Sequence, residues 1–233
     1  MSRVKKYVSE AQSVLSVAVE AVAKTDKKLA RVIDVVGPCA LKANDIQNPF
    51  EALAESIVYQ QLSGKAAATI FGRVQALCLK PGPMSPEEVQ HLPVEKLREA
   101  GCSQAKALAI KDLADKAVSG VVPNIIEMHE LSDGELVEKL TAVRGIGTWT
   151  VEMLLIFRLG RLDVMPSADY GVRKGFALTY DLAELPQPKA LTAYGERWRP
   201  YRTIASWYLW RALELPSTFW SKNKHKPSAG AQK

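Results

Sequence analysis

The stretch Leu140-Thr-Ala-Val-Arg-Gly-Ile-Gly-Thr-Trp-Thr-Val151 decides how this chain is read. Before it, Ser132 opens a helical pattern that reaches about Val143; after it, a second pattern covers about Trp149–Leu159. Gly145 and Gly147, on either side of Ile146, join the two in a tight helix–turn–helix. Glycine permits positive φ and leaves no Cβ between the backbone and a ligand. Thr148 is expected to cap the second helix. Amides at a helix start point outward and the macrodipole favours an anion, so the turn is suited to a phosphate. An ordinary αα-corner shares the short glycine pattern. Leu140, Thr150 and Val151, placed for packing and capping, favour the anion-binding form.

Outward from this turn the periodicity is helical, and alternating strand patterns are scarce. Phe50, Leu53, Ala54, Ile57, Val58 and Leu62 form one helix face behind Asn48-Pro49, a good helix start. Ser63-Gly64 breaks it, and a second helix is expected over about Lys65–Leu79. Further helices are expected at about Pro86–His91, Val94–Ala100, Ala105–Ser119, Asn124–His129, Pro166–Thr179 and Pro200–Leu213. The first 30 residues also read as one helix. The expected fold is all-α, with roughly ten helices and short connections. The chain is expected to be one domain over residues 1–220 with a disordered basic tail over 221–233.

Composition excludes several classes. Of 233 residues 47% are hydrophobic and 24% charged, enough for a real core. No apolar stretch approaches membrane-spanning length, and no apolar segment of secretory type follows Met1-Ser-Arg-Val-Lys-Lys. Cys39, Cys78 and Cys102 are too few and too scattered for a disulfide framework, and fit a reducing cytoplasm. They also fall short of the four needed for an iron–sulfur cluster, and His91, His129 and His225 are isolated. No side-chain metal site is expected. The net charge of +6 resides at the ends: Ser221–Lys233 carries +4 and residues 1–6 carry +3, leaving −1 for the body. Within the body, residues 196–211 hold four arginines against Glu196, a local +3.

Asp169 lies 24 residues after Gly145, in Met165-Pro-Ser-Ala-Asp-Tyr170. With Ser167 as cap, it falls in the first turn of a helix, where the dipole favours negative charge. Taken alone, such an acid only improves a helix start. Taken with the glycine hairpin, it resembles the helix–hairpin–helix DNA glycosylase superfamily, in its alkylbase branch (3-methyladenine DNA glycosylase II). The matching pieces are Leu140–Val151, Asp163–Tyr170, Glu196–Arg202 with Ile204–Trp210, and Pro49–Glu51 through Gln60–Ser63 with Ala66-Ala67. Two departures stand out. Ala168 occupies a position where the family often has a second acid, and the chain has no room for the N-terminal β domain of larger members.

The resemblance implies a two-lobed helical fold with an active site in the cleft between the lobes. One lobe covers about 50–165; the other combines about 1–49 and 166–220. It implies a monomeric enzyme that flips alkylated purines out of double-stranded DNA and hydrolyses their N-glycosidic bond, in the nucleoid or the nucleus. Asp169 is the implied catalytic residue. Lyase-type relatives carry a lysine where this chain has Trp149, so no Schiff base forms there and the enzyme is expected to be monofunctional. Trp210 is the implied pocket tryptophan. Trp149, Tyr170 and Met153 are further pocket candidates, with core packing the alternative for Trp149. Gln61, or else Leu62, is the implied wedge that fills the gap left by the base; Leu62 otherwise completes the helix face that starts at Phe50. Phosphate contacts are expected from the backbone of Gly145, Ile146, Gly147, Thr148 and Trp149 and from Arg144, Lys65 and Arg202. A monovalent cation, Na+ or K+, on hairpin carbonyls is also implied. A non-catalytic DNA-binding module, or a glycosylase for other damaged or mismatched bases, are the competing readings.

Overall fold

A computed structural model describes residues 3–43, 48–79 and 82–223. It is all-α, with no strand among the described residues. The helices are α1 (Arg3–Thr25), α2 (Lys27–Val36), α3 (Pro49–Tyr59), α4 (Gly64–Gln75), α5 (Pro86–His91), α6 (Val94–Glu99) and α7 (Gln104–Val118). They continue with α8 (Ile125–Glu130), α9 (Asp133–Thr141), α10 (Thr148–Phe157), α11 (Tyr170–Tyr180), α12 (Pro188–Gly195), a 3₁₀ turn (Glu196–Trp198), α13 (Arg202–Ala212) and α14 (Ser217–Asn223). None is long and apolar enough to cross a membrane.

Local chemistry sets many of the starts. Asn48 accepts from the Glu51 amide ahead of Pro49. Asn124 with Glu127 and Ser132 with Glu135 form capping boxes. Several expected boundaries move. The N-terminal helix is interrupted at Asp26, which caps α2 instead of continuing α1. Gly147, not Thr148, is the N-cap of α10, and Asp169, not Ser167, is the N-cap of α11. α14 runs through Ser221–Asn223, into the segment read as a disordered tail; residues 224–233 of that tail lie outside the described residues.

The chain divides into two compact units. The first comprises α1, α2 and α11–α14. The segment Arg161–Met165 folds with it, because the start of α13 grips that segment. Thr203, fully buried, donates its hydroxyl to Arg161 O at 2.7 Å and accepts from the Val164 amide at 2.9 Å. In this unit α13 packs on α11, α2 and α1, burying Ile204, Ala205, Tyr208 and Leu209. The α11–α13 crossing is very close: a Cβ on Gly175 would lie 1.9 Å from Leu209 O.

Asp26 explains the α1–α2 break. It is 4% exposed, and a buried carboxylate requires several donors. The Lys28 and Leu29 amides each donate at 3.1 Å, Trp198 Nε1 at 3.1 Å and the Tyr194 hydroxyl at 3.2 Å, and the Tyr180 hydroxyl completes the set. Burial and the neighbouring Asp26 push the Tyr180 phenol far above its ordinary range.

The second unit comprises α3–α10, with α7 packed against α3, α5 and α6. Its core includes Leu53, Ile57, Leu97, Ile110, Leu113 and Leu136. α10 buries Val151, Leu154, Leu155 and Ile156. Lys111 Nζ caps the end of α5, donating to Leu92 O at 2.7 Å and Val89 O at 3.1 Å.

Candidate active site

In the first unit, the carboxylate of Asp169 is placed by both neighbouring helices. As N-cap of α11 it accepts from the Val172 amide at 2.8 Å through Oδ1. Trp210 Nε1, on α13, donates to the same oxygen at 2.8 Å. Asp169 stays half-buried, so the carboxylate is fixed in orientation yet reachable. Trp210 was expected as a wall for the base. Its indole N–H donates to Asp169, so the residue also positions the carboxylate.

The approach depends on a residue that sequence reasoning did not single out. A Cβ on Gly171 would lie 2.8 Å from Trp210 Cδ1 and 3.1 Å from Asp169 Oδ1. Gly171 and Gly175, four apart on one face of α11, thus admit Trp210 and Leu209 of α13. The i, i+4 spacing of the two glycines behind Asp169 was the available signal.

α13 also fixes the approach to Asp169 from the other side. Arg202, Ser206 and Trp210 lie on one helix face and engage Asp163, Met165 and Asp169 in turn. Arg202 was expected to touch DNA phosphate. Instead its side chain is only 13% exposed and pairs with Asp163 at 2.8 Å and Glu196 at 3.3 Å. The rest of the expected basic patch is similarly engaged. Arg199 pairs with Asp163 and Glu196, Arg197 covers the Tyr194 ring, and Arg211 pairs with Glu214 beside the Trp207 ring. The arginines are thus paired or stacked, while Arg197 and Arg199 stay exposed. Of the other residues expected here, Tyr170 is 62% exposed with Lys174 Nζ 5.8 Å from its ring centroid, and Ala168 is exposed.

In the second unit, the glycine turn joins α9 to α10 as read from sequence. Its two glycines do different work. Gly145 has φ +78, a conformation L side chains rarely adopt, and its Cβ would press on Ala109 Cβ at 3.3 Å. Gly147 has no such constraint and nothing within 4 Å of where a Cβ would stand, so it leaves the backbone bare. No side chain caps α10. Asp112 of α7 braces the turn, accepting from the Arg144 amide at 2.7 Å while Lys116 Nζ donates to it at 2.6 Å. Desolvation raises the Asp112 carboxyl, but the Arg144 amide and Lys116 together hold it below its ordinary range.

Of the amides expected to meet phosphate, that of Ile146 is occupied inside the turn, and the neighbouring Arg144 amide is occupied as well. The Arg144 amide serves Asp112, and the Ile146 amide serves Val143 O at 3.1 Å, with the Ile146 side chain buried. The Arg144 and Lys65 side chains, Gly147 and Thr148 are exposed. Trp149 is 49% exposed on the first turn of α10, which answers the core-packing alternative, and half-buried Met153 follows one turn later.

α3 ends at Tyr59, so Leu62 does not complete its buried face and is 39% exposed. Gln61 is exposed with φ +59. Sequence gave no reason to pick Lys106, yet its ammonium donates to Val58 O at 2.8 Å and Gln60 O at 2.6 Å.

The fold is helical, with a carboxylate held at a helix start in one unit and a glycine hairpin in the other. Residues 54–200 match the HhH-GPD superfamily base excision DNA repair protein family, and the chain belongs to that family. It is 37% identical over 191 residues to DNA-3-methyladenine glycosylase 1 of Schizosaccharomyces pombe, covering 82% of this chain and 84% of the relative. An alkylbase DNA glycosidase-like protein of the same organism is 33% identical, with 82% and 90% covered. Among solved structures, the S. pombe 3-methyladenine DNA glycosylase in complex with abasic DNA aligns with TM-score 0.74 at 36% identity, covering 85% of this chain and 97% of that one. The DNA-3-methyladenine glycosidase of Bacillus halodurans aligns with TM-score 0.75 at 38% identity, with 84% and 88% covered.

Proposed function

We propose that the protein is a monofunctional DNA glycosylase. It extrudes alkylated purines of the 3-methyladenine and 7-methylguanine class from duplex DNA and hydrolyses their N-glycosidic bond, leaving an abasic site. The observation that carries this reading is the Asp169 carboxylate, oriented by the Val172 amide and the Trp210 indole. DNA binding alone does not require an acid so placed. The relatives' names, and the abasic DNA in the S. pombe complex, support the same substrate class.

Cleavage of an N-glycosidic bond develops positive charge on the sugar, as in glycoside hydrolysis. Asp169 stabilises that charge. One charge contact at about 4 Å in an effective dielectric near 20 is on the order of 4 kcal/mol, or roughly a thousandfold in rate. Asp169 also accepts the proton of the attacking water or orients it. An alkylated purine is already cationic and leaves without a general acid. Tyr170 and Trp149 present π faces that suit such a base, and Met153 lies one turn from Trp149 on the same helix.

Gln61 or Leu62 fills the gap left by the base. The amides of Gly145, Gly147 and Thr148 take a phosphate, aided by Lys65 and Arg144, and sequence-independent affinity follows. The hairpin carbonyls also suit a monovalent cation, Na+ or K+. Gly145 O accepts from Gln60 Nε2 and Val143 O from the Ile146 amide, and each carbonyl keeps a second lone pair. Such a cation would add positive charge to the phosphate-binding turn. The protein acts as a monomer, in the nucleoid or the nucleus.

The test is incubation with methylated duplex DNA, followed by chromatography of the released bases. Free 3-methyladenine and 7-methylguanine are expected, with no borohydride-trapped DNA adduct. Binding without release would reduce the protein to a DNA-binding module, and a trapped adduct would contradict the monofunctional assignment.

A further inference from the structure

The turn after α3 is held in a conformation that its own sequence does not favour. Gln61 sits at φ +59, and asparagine, aspartate and glycine are the residues that usually occupy this region. The last carbonyls of α3 need donors from outside the helix. Lys106 supplies them from the first turn of α7, with Nζ 2.8 Å from Val58 O and 2.6 Å from Gln60 O. Gln60 continues the chain of contacts: its Nε2 donates to Gly145 O of the hairpin at 2.9 Å. All of these residues belong to the second unit. A half-open pocket of about 230 Å³ adjoins the turn, lined by Val58, Leu62, Ile70 and Lys106 among others.

We infer that Lys106 and Gln60 are positioning residues that brace the Gln61–Leu62 turn on the hairpin, so that it enters the DNA stack already shaped. This inference rests on the glycosylase reading, in which that turn fills the gap left by the extruded base. Lys106 is poorly placed to touch DNA itself, because its ammonium is committed to two backbone carbonyls. Desolvation there pushes the ammonium down from the ordinary lysine range. The turn has one bond of its own, from the Leu62 amide to Tyr59 O at 3.3 Å; without the brace that long bond alone is left to hold Gln61 in its left-handed conformation. The hairpin keeps its own support from Asp112, so phosphate binding and insertion separate on mutation.

The test compares affinities for two duplexes of one sequence, undamaged and carrying a tetrahydrofuran abasic analogue. The wild type is expected to prefer the abasic duplex. Lys106→Met, which keeps the stem and removes the donors, is expected to bind undamaged duplex normally and to lose about tenfold of that preference, the range of a charged hydrogen bond. Normal melting with full preference would overturn the inference. Should Lys106→Met fail to fold, Gln60→Met decides, since it leaves the ammonium in place; a severalfold loss of preference supports the brace, and none overturns it. A wild type with no preference at all would instead overturn the glycosylase reading, and the brace with it.

Discussion

Trp210 donates its indole N–H to Oδ1 of Asp169 at 2.8 Å, from one helix of the first unit to the cap of another. The carboxylate is thus oriented by a side chain 41 positions away. Trp210→Phe keeps an aromatic ring but removes this donor and part of the indole's packing on the core. Loss of a hydrogen bond to a charged group, about 1.5–3 kcal/mol, predicts a roughly tenfold to hundredfold slower single-turnover excision. The melting temperature should fall modestly from the lost packing. Equal rates for the two proteins would remove Trp210 from the positioning of Asp169.

Gly175→Ala places a methyl on backbone rather than on a movable side chain, 1.9 Å from Leu209 O. α11 and α13 must then separate, at about 1–3 kcal/mol or more. Thermal denaturation should show a clear drop in stability. Gly171→Ala meets the Trp210 ring instead, so it should slow excision more than it lowers stability.

The helical fold and the hairpin were legible because each follows from local signals, apolar spacing and a glycine pair; Asp169 was legible locally only as an acid at a helix start, and its site role came with the resemblance. What tertiary contacts decide was not. Arg202 looks like any solvated cation in sequence, and only Asp163 and Glu196 across the fold reveal its fate. The pocket role of Trp210 came from the resemblance, and its bond to Asp169 was hidden because that partner lies on another helix. Lys106 sits in an ordinary amphipathic helix, and nothing local says that its ammonium caps α3. The break at Asp26 was hidden because the pattern of α1 continues almost unbroken into α2, while the Tyr180, Tyr194 and Trp198 donors that hold the carboxylate come from far along the chain.

Arg202 and Lys65 should respond differently to salt. Each phosphate contact contributes about 0.9 to the slope of log affinity against log salt. Lys65→Ala and Arg144→Ala should each reduce the slope by roughly that amount. Arg202→Ala should leave the slope unchanged and lower the melting temperature, because its partners are Asp163 and Glu196. A reduced slope for Arg202→Ala would return it to the DNA interface.

Asp112 links hairpin integrity to pH. Its carboxyl is held below the ordinary value of 3.8, so its contribution is present above that value and is lost as pH falls through the lower folded value. Asp112→Asn should therefore melt below the wild type at neutral pH. The gap should close in strong acid, where the wild-type carboxyl is also protonated. A gap that persists there would place the effect outside the charge of Asp112.

Asp169→Asn tests the account most directly, because it keeps the size of the side chain and removes its charge. Single-turnover release of 7-methylguanine from a methylated duplex should fall by roughly a thousandfold, as a lost charge contact at the sugar implies, while affinity for the abasic-analogue duplex remains within a few fold of wild type. Release at the wild-type rate would contradict the assignment of Asp169 as the catalytic carboxylate.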